Sequence, residues 1–383
     1  MESTRPLLVI GTRPEAIKMA PVIQECYRRS DVKPIVCFTG QHREMVAQVA
    51  EYFAIEPDLD FDLMRSNQTL TGLTVRCIER LDETLRDYAP DCVIAQGDTT
   101  TVMAASMAAF YHRLPFVHVE AGLRTGDMYS PWPEEFNRRV AGLVAHLHCA
   151  PTDRAAKNLL REGMPSQQVH VTGNTVIDAL TWTLERERLQ SGQWVEKYSM
   201  LTRSKMVLIT GHRRENFGEG FAQICDAIRR LAGTFTDTDF VYPVHLNPNV
   251  QKPVHEALEA LANVHLVPPA SYPEFVWLMD RSYLILTDSG GVQEEAPSLR
   301  KPVLVMRETT ERPEAVDAGG VELVGASCGN IVRAVSRLLR DSAEYARRQI
   351  ESNPYGDGNS ARRIMDLVTS RSWESRASVR SAA

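Results

Sequence analysis

LLVIGTRPEAIKMAPVIQECYRR, residues 7–29, reads as one complete strand-plus-helix unit. LLVI shows no polar alternation, as expected of a strand covered on both faces of a parallel sheet. A glycine turn follows, then apolar residues at helical spacing. The pattern continues outward. Strand-like runs recur at PIVCFTG (34–40), CVIAQGD (92–98), FVHVEAG (116–122), LHCAPT (147–152) and VHVTG (169–173). Helical segments such as TGLTVRCIERLDETLRDY (71–88) lie between them. Strand and helix alternating this way predict βαβ units and a doubly wound sheet.

After Val171 the rhythm changes. NTVIDALTWTLERERLQSGQWVEKY, residues 174–198, reads as one long, largely charged helix connecting two domains. The alternation then restarts at KMVLITGH (205–212), DFVYPVH (239–245), VHLVPP (264–269), YLILTDS (283–289), PVLVMRE (302–308) and VELVG (321–325). At 383 residues the chain is too long for one ordinary core, so two domains are expected. The expected architecture is α/β, two Rossmann-like doubly wound parallel-sheet domains facing across a cleft. The expected boundaries are 1–175 and 176–355, with a helix at about 356–372 packing back on the first domain and a disordered tail at 373–383.

Composition excludes several classes. Hydrophobic residues make up 43% and charged residues 24%, ordinary for a globular protein. A formal net charge of −6 disfavours a general nucleic-acid binder. No signal peptide and no apolar stretch of membrane-spanning length is present, so a cytoplasmic location and no membrane partner are expected. Cys26, Cys37, Cys77, Cys92, Cys149, Cys225 and Cys328 show no zinc-ligand or redox spacing and read as small buried hydrophobes. HExxH, CxxC and GxSxG are all absent, so neither a metal site nor a serine hydrolase is supported.

In open parallel sheets ligands sit beyond the carboxyl ends of the strands. The informative residues follow strands here too. GTRPEAIKMAP (11–21) puts Arg13 and Lys18 near a helix N-terminus, where anions are favoured. VIAQGDTTT (93–101) ends a strand at Asp98, which reads equally well as a cap on the next helix. In FVHVEAGLRTGDMYSPWPEEFNRR (116–139), Glu120 closes an apolar strand, where a carboxylate is costly unless paired or used. Glu134 and Glu135 then open a helix, a place the helix dipole alone would favour for acids. His212 follows a strand with Arg213 and Arg214 beside it, suiting an anion ligand or proton donor. Ser289-Gly290-Gly291 forms a strand–turn–helix whose N–H groups suit a phosphate, with Glu295 one turn further on for ribose hydroxyls. Arg312 precedes Pro313 and Glu314.

These segments, with QHREM (41–45), TGNTVIDAL (172–180), YPVHLNPNV (242–250), FVWLM (275–279) and NPYGDG (353–358), resemble the non-hydrolysing UDP-N-acetylglucosamine 2-epimerases, bacterial enzymes of the GT-B architecture. The resemblance runs nearly the whole chain, in order. It implies reversible epimerisation at carbon 2 of UDP-N-acetylglucosamine, by elimination of UDP to 2-acetamidoglucal and re-addition, supplying cell-surface polysaccharide. By position it implies Asp98, Glu120, Glu134 and His212 in catalysis. Arg13, Lys18, Phe275, Ser289, Gly290, Gly291, Glu295 and Arg312 would bind substrate, with uracil near Phe275. A second, activating UDP-N-acetylglucosamine would contact Gln41, His42, Glu135, Arg214 and His245. A homodimer and no cofactor are also implied. Three rivals share these features: a GT-B glycosyltransferase, a hydrolysing relative and a catalytically dead sugar-nucleotide binder.

Overall fold

The computed structural model describes residues 3–40, 43–65 and 68–370. The described residues form two compact units, one drawn from Met1–Ala179 and Gly356–Ala383, the other from Leu180–Tyr355. The tail expected at 373–383 lies outside the described residues.

The first unit holds seven strands: β1 Pro6–Ile10, β2 Ile35–Phe38, β3 Leu59–Asp60, β4 Cys92–Gln96, β5 Phe116–Val119, β6 Leu147–Ala150 and β7 Val169–Val171. Their order is β3-β2-β1-β4-β5-β6-β7, and every pairing is parallel. The second unit holds β8 Lys205–Thr210, β9 Thr238–Pro243, β10 Val264–Val267, β11 Leu284–Thr287, β12 Val303–Val305 and β13 Val321–Leu323. Their order is β10-β9-β8-β11-β12-β13, again all parallel. Each unit is thus a Rossmann-like doubly wound sheet, the expected fold class. Every apolar run read as a strand is one. β3 was not read, because two residues carry no apolar run.

The central strands are buried along their whole length, so each sheet is covered on both faces. Leu7, Val9, Val93 and Phe116 pack against Leu73, Leu81, Val102 and Ala105 in the first unit. Val207, Ile209, Phe240 and Leu286 pack against Phe221, Ile228, Ile331 and Val335 in the second. All seven cysteines are buried and none is in a disulfide.

One element departs from expectation. The long charged helix is two helices, Thr175–Leu189 and Gly192–Lys197. Gln190 and Ser191 occupy the break, and Gly192, a weak helix former, opens the second helix. Trp194 across it donates its indole N–H to the buried carboxylate of Glu187 at 2.5 Å.

The strand orders place a switch point in each sheet, between β1 and β4 and between β8 and β11. Chains leaving neighbouring strands there turn to opposite faces, which opens a crevice at the carboxyl ends. Gly11 and Asp98 follow β1 and β4, while His212 and Asp288 follow β8 and β11.

Candidate active site

In the first unit, β1 runs into the helix Arg13–Arg28 through Gly11 and Thr12. A Cβ on Gly11 would lie 2.2 Å from Thr101 Oγ1. Glycine therefore lets the turns after β1 and β4 touch. Glu15 ties the same two turns together. Its Oε2 accepts from the backbone N–H of Gly11 at 2.5 Å and of Thr12 at 2.8 Å, and its Oε1 accepts from the Thr99 hydroxyl. Burial pushes the Glu15 carboxyl up to about 7, against the pull of those three hydrogen bonds, with Asp98 adding to the rise.

One helical turn beyond Glu15, Lys18 Nζ meets Glu120 Oε2 at 2.5 Å, and Gln96 Nε2 donates to the same oxygen at 3.0 Å. Lys18 and Glu120 are both buried, so the pair is desolvated and each charge depends on the other. Glu120 sits at φ +61°, a left-handed conformation costly for a residue with a Cβ. Such strain persists only where surrounding structure holds it, and it marks Glu120 as a functional candidate.

Asp98 could have served as a helix cap. Thr99 takes that task instead, its hydroxyl accepting from the Val102 N–H. The Asp98 carboxylate pairs with Arg138 Nη2, and its carbonyl accepts from Asn137 Nδ2 at 2.9 Å. Glu134 opens the helix Glu134–Val144 and is half-buried. Glu135 beside it is fully buried among Arg138, Arg139 and the Thr125 N–H. Behind this layer, His118 Nε2 bonds the Gly97 carbonyl at 2.7 Å, and burial holds its imidazole down at about 4, hence neutral.

In the second unit, Asp288 directly follows β11 and is completely buried. Its Oδ2 accepts from the backbone N–H groups of His212 and Arg213, both at 2.9 Å. The His212 Nδ1 lies 3.3 Å from Asp288 Oδ1, and its ring stacks on His245 with centroids 5.6 Å apart. Burial holds the His212 pKa below the ordinary imidazole range, against the pull of Asp288 and with Arg213 and His245 adding to the lowering. Arg214 is exposed in the turn that follows. Ser289 precedes the short helix Gly290–Glu295. A Cβ on Gly290 would lie 2.8 Å from the Arg312 guanidinium carbon, so a side chain there would displace the guanidinium from its present position. Arg312 Nε donates to the buried Glu294 at 2.8 Å, and its Nη1 to Glu311 at 3.3 Å. Glu295 Oε1 accepts from Tyr272 at 3.0 Å. Phe275 is half-buried on the helix Tyr272–Arg281.

A family model described as UDP-N-acetylglucosamine 2-epimerase matches residues 24–369. The chain belongs to the UDP-N-acetylglucosamine 2-epimerase family. It is 53% identical to a Yersinia pestis protein named UDP-N-acetylglucosamine 2-epimerase, over 94% of this chain and 97% of that one. A UDP-GlcNAc 2-epimerase from Neisseria meningitidis, solved bound to UDP-GlcNAc, matches with a TM-score of 0.91 and 49% identity, covering 96% of this chain and 100% of that one. An S. aureus protein solved with UDP matches with a TM-score of 0.87 and 41% identity over 96% of both chains.

Within this epimerase family member, the residues named from sequence fall into two groups. Arg13, Lys18, Asp98, Glu120, Glu134 and Glu135 belong to the first unit. Arg214, His212, His245, Phe275, Ser289, Gly290, Gly291, Glu295 and Arg312 belong to the second. Gln41 and His42 lie outside the described residues. Sequence reasoning missed Glu15, Gln96, Arg138, Asp288 and Glu294 as site residues. Asp288 carried a usable signal, a carboxylate directly after an apolar strand. Arg138 carried none, since its partner Asp98 is 40 residues away.

Proposed function

We propose that the protein interconverts UDP-N-acetylglucosamine and UDP-N-acetylmannosamine by inverting carbon 2. The carbon 2 hydrogen has no neighbouring carbonyl to acidify it, so direct removal is out of reach of an ordinary base. Elimination solves this. A carboxylate takes the carbon 2 proton, the C–H electron pair becomes the C1=C2 double bond, and the C1–O pair leaves with UDP. UDP then re-adds to 2-acetamidoglucal while a proton arrives on the opposite face. Nothing is oxidised, so no nicotinamide enters the balance.

The first unit's residues suit the proton transfers. Glu120 is assigned as a base, with Asp98 and Glu134 sharing the remaining roles. The second unit's residues suit the leaving diphosphate. His212, Arg312 and the N–H groups of Ser289, Gly290 and Gly291 are assigned to its charge, Arg13 and Lys18 to the sugar nucleotide, Glu295 to ribose and Phe275 to uracil. The observation that best supports this is the buried Lys18–Glu120 pair, with Glu120 held in a strained backbone at a strand end. The reading extends to a cytoplasmic homodimer that feeds cell-surface polysaccharide. In it, a second UDP-N-acetylglucosamine activates through Glu135, Arg214 and His245, with Gln41 and His42.

Proton NMR of the protein with UDP-N-acetylglucosamine in deuterium oxide tests this. UDP-N-acetylmannosamine should appear as the minor partner, with deuterium at carbon 2. Accumulating UDP and free N-acetylmannosamine would assign the hydrolysing reaction instead. Unchanged substrate with folded protein would sink the reading and favour a transferase awaiting an acceptor.

A further inference from the structure

We infer that Arg138 is a positioning residue that fixes Asp98 for proton transfer. The turn Gly97-Asp98 is gripped at three points. His118 Nε2 bonds the Gly97 carbonyl at 2.7 Å, Asn137 Nδ2 donates to the Asp98 carbonyl at 2.9 Å, and Arg138 Nη2 donates to Asp98 Oδ2. Two of those grips come from consecutive residues of the helix that also presents Glu134. Arg138 is itself anchored. Its Nη1 donates at 3.3 Å to Glu135, whose buried carboxylate also takes Arg139 Nε at 3.1 Å and the Thr125 N–H at 3.2 Å.

The geometry needs a planar fork. One guanidinium reaches Glu135 with one nitrogen and Asp98 with the other, and a lysine ammonium cannot hold both in fixed directions. The Arg138 side chain is 8% exposed while that of Asp98 is 27% exposed. The cation is therefore sealed beneath a carboxylate that stays accessible. Through this clamp, the helix that carries one candidate acid sets the orientation of another.

The test rests on the epimerase reading only for its kinetic arm. Arg138→Met should lower kcat by roughly 100-fold, the scale of a small misplacement at a reacting centre, with KM within about twofold. Arg138→Lys should recover about tenfold of that loss, since charge returns without the fork. In an Asp98→Asn background, Arg138→Met should cost no more than about twofold further, because Arg138 acts through Asp98. A full multiplicative loss there, or kcat of Arg138→Met within about threefold of wild type, would overturn the inference. Should Arg138→Met fail to fold, Arg138→Lys decides: wild-type kcat in it also overturns the inference. A wild type that turns over nothing would instead count against the epimerase reading. The clamp is then read from the Asp98 carboxyl carbon-13 resonance, expected to move in Arg138→Lys; an unmoved resonance refutes it.

Discussion

The two units share a sheet architecture and differ, at Asp98 on one side and at His212 and Arg312 on the other, in which group is held outermost over its partner. In the first, Asp98 is 27% exposed over an Arg138 that is 8% exposed. In the second, His212 is 41% exposed over an Asp288 that is fully buried, and Arg312 is 18% exposed over a Glu294 that is 1% exposed. At these positions an acid stands on a buried cation in one unit, and imidazole and guanidinium stand on buried acids in the other. Other pairs run differently: Arg139 is 34% exposed over a fully buried Glu135, Arg307 is 7% exposed beneath a Glu215 that is 49% exposed, and Lys18 and Glu120 are both nearly enclosed. A doubly wound sheet supplies the position at a switch point. The buried counter-charge beneath decides which sign is offered there, and so what chemistry the same scaffold can serve.

The largest expected effect separates the units outright. Glu120→Gln should cost about 10³-fold in kcat, in the range of a lost general base, while UDP affinity by calorimetry stays within about twofold. A parallel loss of UDP affinity would break the division of labour. Next comes a thermodynamic test confined to the first unit. Glu15 titrates near 7 folded and near 4.5 unfolded, so the native state alone keeps its proton between those values. The associated stability is fully present below about 4.5 and lost as pH rises through 7. Urea unfolding should therefore show wild type losing up to about 3 kcal/mol relative to Glu15→Gln between pH 4.5 and 8. An unchanged gap would mean that Glu15 titrates alike in the folded and unfolded chain. The smallest effect belongs to the second unit. Asp288→Asn removes the negative charge beneath His212 and leaves one oxygen to accept from the two backbone N–H groups, with an amide NH2 in place of the other; it should weaken UDP roughly 10- to 30-fold, about 1.5–2 kcal/mol. If it instead slowed carbon 2 exchange and left UDP binding alone, the assignment of His212 to the diphosphate would need revision.

What the sequence disclosed follows from what can be local. Strands buried on both faces appear as unbroken apolar runs, so among the described residues twelve strands were legible and the two-residue Leu59–Asp60 was not. Residues after strands were legible as candidates because sheets bind ligands there. Their partners were not. Lys18 and Glu120 are 102 residues apart, and Asp288 lies 76 residues beyond His212, so only the folded sheet brings them together. Locally, Glu15 is only a first-turn acid of its helix. Its reach to Thr99, 84 residues on, depends on the contact that Gly11 permits.

The first unit is also discontinuous in the chain. Its last described helix, Ser360–Thr369, lies beyond the entire second unit. That helix closes over Arg13–Arg28, with Cys26 Sγ 3.5 Å from Met365 Sδ, Arg29 paired to Asp366 at 2.7 Å, and Asp178 accepting from the Ala361 N–H at 2.8 Å. On a ribosome adding about 5–20 residues per second, the sheet begun first must wait on the order of ten to forty seconds for this cover. The second unit, continuous from Leu180 to Tyr355, is synthesised whole within that interval. During translation the apolar surface around Cys26 thus waits uncovered, open to a chaperone, and the unit that starts folding first finishes last.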